Sequence, residues 1–137
     1  MSLIGKLHPL LVHFPIALVL SAAGAEIAAM VTRQVGWRAI AVVNLRVGAA
    51  MGALTSIAGW MLATAPFVEA TPSLAWHRWA GIAAATATIG AALASSHPQS
   101  RRSVVVYRGA LFAASAFVVI AGHLGAALVW GTDFLRP

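Results

Sequence analysis

Five histidines, three carboxylates and no cysteine set the chemistry open to this 137-residue chain. Four of the histidines, His8, His13, His77 and His123, fall near corresponding ends of long apolar segments. Imidazole suits hydrocarbon poorly, and polar side chains at membrane depth usually mark a site. Histidine is also a common ligand of transition metals and of haem iron. The absence of cysteine excludes disulfides, iron–sulfur clusters and covalent c-type haem attachment. A haem in this chain would therefore be held non-covalently, through His or Met. No nucleophilic triad, phosphate loop or paired carboxylates is present, so acid–base catalysis on a substrate is not expected. An electron carrier or a subunit fits better than a stand-alone enzyme.

The composition points to lipid as the solvent. Hydrophobic residues make up 61% of the chain and charged ones 9%, where a soluble domain carries roughly a quarter charged. The net charge of +6 is carried by Lys and Arg beside apolar runs. That pattern fits membrane orientation and argues against nucleic acid. The N-terminal stretch imitates a secretory signal, with Lys6, an apolar run and Ala23-Gly24-Ala25 as a cleavage-like site. Its two histidines, two prolines and spanning length favour a retained first helix instead.

The elements that must position the histidines follow from the apolar segments. Helices are expected at about 9–31, 39–68, 73–94 and 104–130, each long enough to cross a bilayer core. Thr32 to Arg38 is expected to be a basic loop. Thr71-Pro72 is a good helix start, with Thr71 as N-cap and Pro72 at the first helical position. Short connections imply an all-α membrane protein, an antiparallel up-down bundle of four transmembrane helices in one domain. No internal repeat or low-complexity tract stands out. Arg33, Arg38, Arg101 and Arg102, with Arg46 and Arg108 close by, mark one side of the membrane. Lys6, Arg78 and Arg136, diluted by Glu69 and Asp133, mark the other. The positive-inside rule makes the Arg-rich side cytoplasmic and puts both termini outside, in the periplasm if the membrane is a bacterial inner membrane.

With a helical rise of 1.5 Å per residue, His13 lies roughly 10 Å in from Lys6, and His77 roughly 9 Å in from Thr71. His123 lies about 10–15 Å from the outer end of the last helix. His8 sits at the boundary, and His97 falls in a cytoplasmic loop. The first and third helices of such a bundle are diagonal, which leaves room for a porphyrin, so His13 with His77 is the preferred axial pair. His8 and His13 are separated by about 140° around a helix and cannot easily share a target. His8 is expected to turn to the surface or to a neighbour, with His123 a candidate. Arg78 is placed either to bind a haem propionate or to snorkel to the headgroups. Gly48, Gly52, Ser56 and Gly59 line one face of the second helix, which suits close helix packing or a flat macrocycle. Glu26 and Arg46 are expected to form an ion pair at the inner interface, with a proton-relay role for Glu26 as the other reading. Trp37, Trp76, Trp79 and Trp130 lie near segment ends as interfacial anchors, while Trp60 lies deeper.

Three stretches together resemble the membrane proteins grouped as domain of unknown function 2231. They are His8-Pro-Leu-Leu-Val-His13-Phe-Pro15, Trp76-His77-Arg78-Trp79-Ala-Gly81 and Gly122-His123-Leu-Gly125-Ala126-Ala-Leu-Val129-Trp130-Gly131. The resemblance implies a four-helix membrane domain, sometimes fused to c-type cytochrome modules, with histidine positions matching His8, His13, His77 and His123. Many relatives carry an acidic residue near the end of the second helix, where this chain has Gly59-Trp60.

The leading expectation is a haem b protein passing electrons between a periplasmic donor, such as a cytochrome c or a larger redox complex, and quinone or a partner complex. His13, His77 and His123 are the candidate iron ligands, and His8 and Arg78 complete the candidate cofactor site. A copper or zinc site on the same histidines is the metal alternative, with Met51 or Met61 available to copper. The third reading is a non-enzymatic subunit or assembly factor of a larger membrane complex, whose histidines only hydrogen-bond between helices.

Overall fold

The computed structural model describes residues 3–96, 100–131 and 133. His97 and Arg136 lie outside them. All regular structure among the described residues is helical: α1 (Leu3–Lys6), α2 (His8–Leu11), α3 (His13–Thr32), α4 (Val35–Ala63), α5 (Pro72–Ala94) and α6 (Arg101–Trp130). The first three are one course interrupted twice, because the joints at Leu7 and Val12 keep right-handed helical dihedrals. Pro9 and Pro15 remove two N–H donors from this course and loosen it. The Leu7 carbonyl accepts from both Leu10 and Leu11, at 3.0 and 2.9 Å, while the Ile16 to Val12 bond is stretched to 3.4 Å.

Each long helix packs against the next, and α6 returns to α3, so that α3 and α5 are diagonal. Three spans, His8–Thr32, Val35–Ala63 and Arg101–Trp130, are long and apolar enough to cross a membrane. The 23-residue α5 is long enough but less apolar, since it carries Trp76-His77-Arg78-Trp79 and several hydroxyls. The bundle shows large apolar side chains outward, among them Leu54, Ile57, Val119 and Ile120. Its interior is built mainly from small residues: Ala22, Ala23, Ala91 and Ala114 surround Leu45, Tyr107 and Leu111. This is the pattern of an all-α membrane protein, in which small side chains let backbones approach. Gly48 shows how close they come. A Cβ there would meet Val19 Cγ2 at 3.1 Å and Leu18 Cβ at 3.3 Å.

The second long helix begins and ends earlier than the sequence reading placed it. It starts at Val35, because Arg33 takes a left-handed conformation (φ 58°) that closes α3, and extended Gln34 opens α4 at once. The expected basic loop shrinks to two residues. It ends at Ala63, where the Thr64 hydroxyl turns back to the carbonyls of Trp60 and Met61. Pro66 follows, disfavouring helix in the residue before it. The Thr71 cap forms as expected, its hydroxyl accepting from the Leu74 N–H at 3.2 Å. At the start of α6, Ser100 and Ser103 form a reciprocal capping box.

The early start of α4 also corrects the expected Glu26–Arg46 pair. Arg38, now on the first turns of α4, donates to Glu26 Oε1 at 2.7 Å, and Arg108 of α6 donates to the same oxygen at 2.8 Å. Arg46 lies eight residues further along α4, about 12 Å deeper by helical rise. It donates instead to Ser96 at 3.3 Å. Glu26 is fully buried, so one carboxylate ties α3, α4 and α6 together at the Arg-rich end. The buried Tyr107 hydroxyl faces this cluster without a hydrogen bond of acceptable geometry. Removing the carboxylate strands two guanidinium groups. Glu26→Ala is therefore expected to destabilise the fold by about 3 kcal/mol, and Arg46→Ala, on an exposed polar contact, by less than about 1 kcal/mol. Reversible unfolding in mixed detergent micelles measures both, and equal losses would contradict this assignment of the clamp.

Candidate functional site

The site begins with a proline. Pro15 cannot donate to the Leu11 carbonyl one turn earlier, and a carbonyl left bare in hydrocarbon is strongly unfavourable. The Thr55 hydroxyl of α4 donates to that carbonyl at 3.2 Å. The carbonyl of the same Thr55 then accepts from His8 Nδ1 at 3.0 Å. His8 reaches it because Gly59, one turn further along α4, has no side chain. A Cβ there would lie 2.7 Å from His8 Cε1.

A matching seat exists on the other hairpin. His77 Nδ1 donates to the Ala121 carbonyl of α6 at 3.2 Å. Gly125 lies one turn beyond that carbonyl, and a Cβ there would lie 2.9 Å from His77 Cε1. In both seats the ring nitrogen faces a carbonyl, which only accepts, so Nδ1 carries the hydrogen. Nε2 is then the lone-pair nitrogen of each neutral ring. A carbonyl partner of this kind fixes the tautomer and orientation of a ligating histidine.

The two seats bring His8 and His77 face to edge across the bundle, with ring centroids 6.2 Å apart and planes at 67°.

The expected partner of His77 was His13, but the structure pairs His77 with His8. Pro15 packs inward, its Cβ 3.8 Å from the Cβ position of Gly52. His13, two residues earlier, is about 160° away around the helix and points outward. It is exposed, and its Nδ1 reaches only the Leu10 carbonyl, at 3.4 Å. His123 is also exposed on α6. Among the described residues no three His, Cys, Asp or Glu side chains gather as a metal-binding group. Arg78 neither pairs with a carboxylate nor extends freely. Its guanidinium carbon lies 3.9 Å over the centre of the Trp60 ring, in cation–π geometry. This is the region where the resemblance would put an acidic side chain, and with α4 ending at Ala63 Trp60 lies within one turn of the helix end, not deeper than the other tryptophans as the sequence reading placed it. A shallow cavity of about 250 Å³ between α1 and the end of α4, lined by Lys6, Met61 and Pro66 among others, contains no histidine.

Sequence reasoning named all four histidines and the small face of α4 but not the seats. Gly48 and Gly52 pack helix on helix, while Gly59 and Gly125 receive imidazoles. The signal that marks the seats is a glycine four residues after the accepting carbonyl. It is invisible until the facing histidine is known.

No curated protein and no solved structure matches this chain. The model of one family, domain of unknown function 2231, described as a predicted membrane protein, matches residues 6–134. With that match over nearly its whole length, and with the apolar helices to support it, the chain belongs to the domain of unknown function 2231 family of membrane proteins.

Proposed function

We propose that this protein is a membrane-embedded electron carrier in which His8 and His77 would hold one non-covalent haem b. The observation that carries the reading is the pair of inward imidazoles, 6.2 Å between centroids, each held through Nδ1 by a backbone carbonyl. Bound haem supplies a one-electron iron couple whose potential follows from its ligands, burial and surrounding charge. The chain's own part is to present two neutral imidazoles and fix their tautomer. Gly81, one turn inward from His77, carries no side chain, and nothing lies within 4 Å of where one would project. Arg78 is parked on Trp60 next to His77, within reach of a carboxylate entering from the outer boundary.

In this reading α5 is the fourth span. Its polar outer turn is tolerated because His77 and Arg78 are both engaged within the bundle. The Arg-rich end is cytoplasmic, and both termini lie on the periplasmic side of a bacterial inner membrane. The pair then sits in the outer half, positioned to exchange electrons with a periplasmic cytochrome c or a larger redox complex. A copper or zinc ion would use the same two Nε2 atoms. Zinc ordinarily takes three or four protein ligands, and two imidazoles alone suit haem better.

The test is the visible spectrum of detergent-purified protein made with ample haem, oxidised and then dithionite-reduced. A Soret band with sharp α and β bands on reduction is expected. His8→Ala and His77→Ala should each abolish the low-spin spectrum, while His13→Ala and His97→Ala preserve it. A featureless wild-type spectrum would overturn the haem reading and direct elemental analysis to copper and zinc.

The seats give a separate prediction. Gly125→Val places a side chain where His77 Cε1 lies and should reduce haem occupancy by about tenfold, corresponding to about 1.4 kcal/mol. Gly90→Val, at an open position of α5, should leave occupancy unchanged. Occupancy is read as the Soret to protein absorbance ratio.

A further inference from the structure

The Arg-rich end carries more cation than its own carboxylate balances. Arg33, Arg38, Arg46, Arg101, Arg102 and Arg108 lie there with Glu26, while Glu69 and Asp133 belong to the opposite end. Glu26 is taken by Arg38 and Arg108. Arg102, on the first turn of α6, is exposed and pairs with no carboxylate among the described residues. It lines a shallow cavity of about 340 Å³ between the end of α5 and the start of α6. Leu93, Ala94 and Val106 form the apolar wall of this cavity, and Ser100 and Ser103 complete it. Those two serines are committed to each other in the capping box. The guanidinium, with its fork of N–H donors, is the group left to bind.

We propose that this cavity holds the phosphate of an anionic phospholipid on Arg102, with an acyl chain lying along α5 and α6. A guanidinium binds phosphate through two parallel N–H···O bonds, and basic pockets between transmembrane helices suit anionic headgroups. The apolar wall selects lipid over a soluble anion. Leu93 and Val106 are 69% and 56% exposed, and a free phosphate would leave both uncovered. Toward the middle of the bilayer both helices are bare. Gly90 lies one turn from Ala94, and Gly109 lies two turns from Arg102 on the same stripe of α6. Both are exposed, and nothing lies within 4 Å of where a Cβ would project from either. They leave a track for the start of a chain whose phosphate sits on Arg102. Charge gives the lipid class. A zwitterionic headgroup brings no net charge, whereas an anionic one offsets part of the excess at this end.

This site needs neither haem nor the interior imidazoles. The full-length protein in detergent is titrated with dioleoyl-phosphatidylglycerol or dioleoyl-phosphatidylcholine, and the lipid-bound fraction is read by native mass spectrometry. Tighter binding of phosphatidylglycerol is expected. Arg102→Ala should weaken it by about fivefold, the equivalent of about 1 kcal/mol, and leave phosphatidylcholine unchanged. Arg102→Lys, which keeps the charge, should recover part of the loss. Arg33→Asn removes a charge at the same end, away from the cavity, with a residue that tolerates the left-handed conformation there. It should keep the wild-type affinity, which separates a site from general attraction to a basic surface. Gly109→Leu, which fills the track, should weaken both lipids. Helicity by circular dichroism confirms that each variant folds. Equal binding of the two lipids, or equal losses for Arg102→Ala and Arg33→Asn, overturns the proposal. So does displacement of phosphatidylglycerol by equimolar glycerol 1-phosphate, which would assign the cavity to a soluble phosphate.

Discussion

The requirement that every backbone polar group in hydrocarbon find a partner governs this bundle, and Pro15 is where it matters most. Without that proline the first helix would run straight past Thr55, its Leu11 carbonyl satisfied within its own ladder. With it, the Leu11 carbonyl needs an external donor, and the Thr55 hydroxyl supplies one at 3.2 Å. This bond fixes the height of α2 and α3 against α4. The height in turn decides which carbonyl His8 meets and which residue must be glycine. The interior imidazole thus depends on a defect in the helix that carries it, repaired from a neighbour.

The two ends of the bundle use opposite electrostatics. At the Arg-rich end a single buried carboxylate takes two guanidinium groups, each about one third exposed, so the charges are shared between interior and surface. At the opposite end the polar groups facing each other are imidazoles, and Arg78, beside one of them, is stacked on an indole. A buried ion pair is weak evidence for added stability, and its geometry ties the helices that supply its partners. The Glu26 clamp joins α3, α4 and α6, and the His8–Thr55 and His77–Ala121 bonds join α2 to α4 and α5 to α6. With register fixed at both ends, the small-residue middle, such as Gly48 against Val19, needs only to pack closely.

Much of this could be read from the chain. Apolar lengths gave the long helices, Thr71-Pro72 gave a true cap, and the histidines were named as the polar feature that lipid does not explain. The differences between the reading and the structure have physical causes. The second helix was placed late because Arg38 was read as loop by its charge, when it belongs to a helix turn beneath Glu26. Its end was placed late because apolarity continues to Val68, past the point where Pro66 stops the helix. His13 was paired with His77 by depth alone. Depth is one coordinate, and rotation is the other. Rotation is set by Pro15 packing on Gly52, a contact that no single-helix pattern contains.

The same distinction explains why the likeness between the two hairpins escaped notice. His8 and His77 lie 69 residues apart, whereas their seats, Thr55 with Gly59 and Ala121 with Gly125, lie 66 apart. A search for a fixed period finds neither spacing, because the hairpins differ in connection length and only the facing geometry repeats. Each seat needs three things: a carbonyl on the second helix, a glycine one turn on, and an imidazole from the first helix at the same height. Those conditions place no demand on the residues between, so the surrounding sequence is free to diverge. They do demand that the two rings enter from opposite sides with the same nitrogen tied back. Two imidazoles presented in that way are equivalent to one another. What differs between them lies just outside the pair. One side has a proline-broken helix, with Thr55 completing its hydrogen bonds, and the other has Arg78 on Trp60. Any asymmetry between the two seats arises from those neighbours rather than from the imidazoles themselves.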